Sequence, residues 1–97
     1  MVMTQQYLSG ELSVLLAQLC AVATGRGRAC EVERLRQEAE TLPIVALGCV
    51  TARALRLTDA WCWDSLTRGD MPAFRRQAEV SAQLFEFAVC AGLLTAE

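Results

Sequence analysis

Apolar residues recur every three or four positions along most of this chain, and the recurrence is broken at three places. These are "TGRGR" at 24–28, "TLP" at 41–43 and "RGDMP" at 68–72, each built from glycine, proline and small polar residues that stop helices. The spacing predicts helices near 5–24, 30–41, 44–68 and 72–94. In "RGDMP", Asp70 is a suitable N-cap, and Pro72 falls in a first turn where its missing N–H is harmless. Connections this short favour antiparallel neighbours. With 97 residues and no internal repeat, the expected fold is all-α: one domain over 1–97, an antiparallel four-helix bundle with a short second helix.

Each helix shows how it is used. The first presents Leu8, Leu12, Leu15, Leu16, Leu19 and Ala23 as a core face. The second carries a narrow stripe of Val32, Leu35, Ala39 and Leu42 among charged residues. The third has two apolar lines: Leu47, Val50, Ala54, Leu57 and Trp61 on one, and Ile44, Gly48, Leu55, Cys62 and Leu66 beside it. The fourth also has two, Phe74, Ala78, Ser81, Phe85, Ala88 and Gly92 against Val80, Leu84, Phe87, Ala91 and Leu94. Apolar arcs this wide exceed the stripe that a surface helix buries. The second lines of helices 3 and 4, with Val80, Leu84 and Phe87, are therefore expected between two chains.

Both tryptophans stand two positions apart in "AWCWD", which turns their side chains about 200° from each other on a helix. Trp61 is expected in the core and Trp63 at the edge of an interface, where an indole combines apolar area with an N–H donor. A short second helix would leave one end of the bundle to three helices. Tyr7, Trp61, Trp63 and Phe74 are expected to gather at that end with Arg75, Asp59 and Asp64. They would form a groove for a second chain, form a pocket for a small apolar ligand bearing an acidic group, or simply fill the space that a short second helix leaves.

Several chemistries are disfavoured. The chain has no histidine, and its nine basic residues are all arginine, which removes the commonest general base, the usual zinc-ligand sets and Schiff-base catalysis. Glu11, Asp59, Glu79 and Glu86 lack the Glu-x-x-His partners of a dinuclear carboxylate bundle, so they read as solvated charge. "GRGR" matches a phosphate-binding loop only in composition, because it follows a helix and no Lys-Ser/Thr follows it. Arg56 with Asp59 and Arg75 with Glu79 stand at intrahelical pairing distance. With a net charge of −2, nucleic acid is not an expected partner. No catalytic residue, metal or cofactor is expected.

Five cysteines at irregular spacings, without CxxC, read as reduced and mostly buried thiols. No positive charge precedes the first apolar stretch, so no leader is expected. The longest apolar run, "LPIVALGCV" at 42–50, falls far short of the roughly 18 residues of a spanning helix. A cytoplasmic location is expected, with no membrane partner. The composition, 54% apolar, sits a little above the roughly 45–50% of soluble chains and leaves surface for a partner. The leading functional expectation is a non-enzymatic interaction or regulatory subunit that self-associates as a homodimer, with an unidentified protein partner also open. The alternative is a small-molecule-binding bundle.

Overall fold

The computed structural model describes residues 5–23, 26–41 and 43–93. Among them the chain is all-α, with four helices and no strand: α1 (Gln5–Ala21), α2 (Arg26–Thr41), α3 (Ile44–Arg68) and α4 (Met71–Cys90). α1 packs along α2 and α3 along α4. α1 also reaches α3 and α4, and α2 reaches α3, whereas α2 and α4 make no contact among the described residues. The shared core holds Leu12, Leu16 and Leu19 of α1, Val32, Leu35 and Ala39 of α2, Leu47, Val50, Ala54 and Trp61 of α3, and Leu84 of α4.

The helix ends follow local chemistry. α1 closes before 24, where the Val22 and Ala23 N–H groups donate to the Leu19 and Cys20 carbonyls at 3.2 and 3.3 Å, bonds that tighten a last turn. α3 starts behind Pro43, whose carbonyl accepts from the Ala46 N–H at 2.9 Å. It stops at Gly69, which takes a left-handed conformation (φ 75) and donates to Leu66, while the Asp70 N–H reaches the Ser65 carbonyl at 2.9 Å. Asp70 then caps α4, its carboxylate accepting from the Ala73 N–H at 3.2 Å. The same terminal motif recurs at Gly92 (φ 71), where Leu93 donates to Ala88 at 2.8 Å. α4 therefore ends at Cys90 and not near 94, and Leu94 lies outside the described residues.

α2 differs most from expectation. It begins at Arg26, so Arg26, Gly27 and Arg28 belong to its first turn and not to a loop; Thr24, Gly25 and Leu42 lie outside the described residues. At 16 residues it nearly equals the 17 of α1, although α3 has 25. A glycine inside a helix costs about 1 kcal/mol, and tertiary contacts of that first turn offset it. The Arg28 guanidinium pairs with Asp64 of α3 at 3.1 Å, and the Cys20 thiol donates to the Ala29 carbonyl at 3.6 Å.

Polar groups inside the bundle are paired. Thr51 and Thr58 donate to the Leu47 and Ala54 carbonyls of their own helix at 2.7 and 2.6 Å. Gln77 of α4 is fully buried. Its amide oxygen accepts from the Ser65 hydroxyl at 2.8 Å, and its amide nitrogen donates to the Val22 carbonyl at 3.3 Å, tying α3, α4 and the end of α1 together. No buried side-chain nitrogen or oxygen among the described residues lacks a partner. Among them, too, no helix is long and apolar enough to cross a membrane.

Candidate functional site

The two tryptophans part as their spacing requires. Trp61 is 2% exposed, and the Arg28 guanidinium lies 5.8 Å from its ring centroid while pairing with Asp64. Arg68 joins the same carboxylate at 3.2 Å. This end of the bundle is thus not left to three helices: α2, starting at Arg26, reaches Trp61 through Arg28. Trp63 is 65% exposed. It lines a cleft of about 220 Å³ with Asp59, Cys62 and Leu66 of α3 and Phe74 of α4.

That cleft belongs to a wider apolar face. At about 100° per residue, Phe74, Ala78, Phe85 and Val89 run along the flank of α4 beside α3. Phe85 is 57% and Val89 49% exposed, and Leu66 and Met71 are exposed as well. The one ionisable carboxylate lining the cleft is Asp59. Burial, and next the neighbouring Asp59 charge, push the Cys62 thiol up, so it stays protonated at neutral pH and is a poor nucleophile.

The expected site residues are only partly brought together. Trp63 and Phe74 share the cleft with Asp59. Trp61 turns inward, and Tyr7, exposed near the start of α1, does not line the cleft. Arg75 is exposed on α4. Val80 and Leu84 were expected on the outer line of α4, yet they are buried with Ala73, Gln77 and Ala88. Phe87 is half-buried against the core and borders a second cleft, of about 300 Å³, with Glu11, Leu15, Gln83, Glu86 and Cys90. The outward flank of α4 thus runs through Phe85 and Val89 with Phe74 half-exposed, while Ala88, expected on the line of Phe74 and Phe85, is buried. Gln77 is the cause: a polar residue satisfied inside the bundle rotates the buried face toward itself. Phe85, Val89 and Met71 were missed for that reason, although the wide apolar arc of this helix signalled that some of them had to be outside.

Charges also settle differently. Neither Arg56 with Asp59 nor Arg75 with Glu79 forms an ion pair; among the described residues the pairs are Arg28 and Arg68 with Asp64, Arg36 with Glu33 and Glu40, and Arg53 with Glu38. Arg53 and Arg56 instead border a third cleft, of about 260 Å³, between α2 and α3 with Glu31, Leu35 and Leu57. Three cysteines, Cys30, Cys49 and Cys90, are exposed, and Cys20 and Cys62 are half-buried, against the expectation of mostly buried thiols. Among the described residues no three cysteines or carboxylates group as a metal site. Comparison with models of protein families, with curated proteins and with solved structures finds no match, so the apolar face of α3 and α4 is read from its own chemistry.

Proposed function

We propose that this protein is a non-enzymatic helical interaction or regulatory subunit that self-associates through α3 and α4. One observation carries the reading: Trp63, Leu66, Met71, Phe85 and Val89 are all exposed on these two helices, which between them supply the large exposed apolar residues other than Tyr7 and Val14 among the described residues. A continuous apolar face of this kind marks a contact surface, whereas single exposed apolar residues need no partner. Bringing one large ring from water into a contact contributes about 1.5–3 kcal/mol, and a two-fold dimer gains it twice. The reading takes the bundle as antiparallel, up-down-up-down. The short intervals between the helix bounds, from 21 to 26, 41 to 44 and 68 to 71, and the approach of Leu93 to Gly48, support that arrangement.

Sedimentation at micromolar concentration tests the reading. Twice the chain mass is expected for the unaltered protein, and Phe85→Glu is expected to lower it by placing a charge in the contact. Val14→Glu, on an exposed position of α1 away from this face, is expected to leave the mass unchanged. A monomer at every accessible concentration refutes the proposal.

A further inference from the structure

Resting on the reading that α3 and α4 form a self-association face, we infer that Arg75 of a second copy inserts beside Trp63 and pairs with Asp59, so that each outward indole and carboxylate is completed by the partner subunit. The molecule already contains the finished form of this arrangement. Trp61 and Asp64 offer an indole and a carboxylate one turn apart on α3, and Arg28 from α2 lies over the ring at 5.8 Å while reaching the carboxylate at 3.1 Å. Trp63 and Asp59 repeat the pair, also one turn apart, on the outward side of the same helix. Here no cation of the same chain arrives, for Asp59 takes part in no ion pair.

Covering this face with apolar surface alone would strand the Asp59 carboxylate, which is costly unless a cation accompanies it. Four exposed arginines of the described residues stand in no ion pair, Arg34, Arg56, Arg75 and Arg76, and Arg34 lies on α2, which makes no contact with α4. Arg56 lies on the side of α3 that borders the cleft with α2. Arg76 follows Arg75 by about 100° around α4, toward the side away from Phe74 and Phe85. Arg75 stands at the edge of the apolar flank. Gly69 and Asp70 turn the chain directly from α3 into α4, and Leu93 beyond the far end of α4 comes back against Gly48 near the start of α3. Counted from that turn, Trp63 and Arg75 lie at nearly the same height. A two-fold axis along the helices then sets α3 of one subunit against α4 of the other, with the partner's Arg75 opposite Trp63. Because a two-fold contact is reciprocal, the pair occurs twice. A guanidinium suits the site, since it stacks on an indole and binds a carboxylate in a fixed fork.

Charge exchange tests this. Asp59→Arg and Arg75→Glu are made separately, with circular dichroism to verify folding, and sedimentation gives the dimer dissociation constant of each protein and of their equimolar mixture. Each reversal alone is expected to weaken the dimer by roughly ten-fold or more, because like charges then meet in both copies of the pair. The mixture is expected to recover the affinity, since a dimer of one chain of each kind restores two opposite-charge pairs. Full-strength dimers of both single variants, or a mixture as weak as its components, overturn this inference while self-association stands. A monomeric unaltered protein overturns both.

Discussion

Removing the Ser65 hydroxyl gives the most exact test of how the bundle is held. Ser65→Ala deletes the donor that satisfies the Gln77 amide oxygen at 2.8 Å, and Gln77 is wholly buried between α3, α4 and the end of α1. A stranded buried acceptor costs about 1–3 kcal/mol, which in a domain of this size lowers Tm by about 4–8 °C per kcal/mol. Gln77→Leu behaves differently. It removes the amide altogether, and the freed Ser65 hydroxyl has the Trp61 carbonyl one turn back to donate to, as Thr51 and Thr58 do to Leu47 and Ala54. The double variant is therefore expected to lose less stability than the two single losses added together, with a coupling of about 1 kcal/mol or more. Thermal and urea unfolding followed by circular dichroism, at one fixed protein concentration because association shifts apparent stability, gives all four corners of the cycle. A loss below about 0.5 kcal/mol for Ser65→Ala, or strictly additive losses, refutes the argument that this amide phases α4.

Gly48→Ala places a methyl group 2.6 Å from the Leu93 carbonyl oxygen. The helix-propensity gain of about 1 kcal/mol is expected to be outweighed by displacement of the backbone after α4, seen as faster hydrogen exchange at the Leu93 amide, which donates to Ala88. Alkylation followed by mass spectrometry at mildly alkaline pH should modify Cys62 more slowly than the exposed Cys30, Cys49 and Cys90, and Asp59→Asn should narrow the gap by removing one of the two causes that raise its pKa. The hydrogen bond from Arg36, and then its charge, hold the Glu33 carboxyl below the usual carboxylate range. A depressed folded-state pKa gives stability that is present above the unfolded value and lost as pH falls through the folded one. Acid titration should therefore weaken α2 in that interval, and Glu33→Gln should remove this part of the pH dependence; an unchanged profile in the variant contradicts the assignment.

Much of this fold was legible because its signals are local. Pro43 before α3, Gly69 after it and Asp70 before α4 act through their own backbone and nearest amides, so the bounds of α3 and the turn into α4 could be read from residue type. Gly92 followed by Leu93 is an equally local signal that α4 stops early, but helical spacing also makes Gly92 one more member of an apolar line, and the periodicity carries the expected helix past it. The split of the tryptophans, one inward and one outward, follows from helical geometry alone.

What residue type left open was decided by contacts between helices. Arg26 to Arg28 became helix because Arg28 finds Asp64 and Trp61 on α3, a gain that composition around two glycines does not reveal. The rotation of α4 was hidden for the same kind of reason. Judged by residue type, Gln77 belongs at the surface and Phe85 inside. Ser65 and the Val22 carbonyl satisfy the buried amide from two other helices, and this turns Val80 and Leu84 into the core and leaves Phe85 and Val89 facing out. A helical pattern specifies which residues share a face, but which face is buried depends on the partners its polar groups meet, and those partners are brought together only by the tertiary structure.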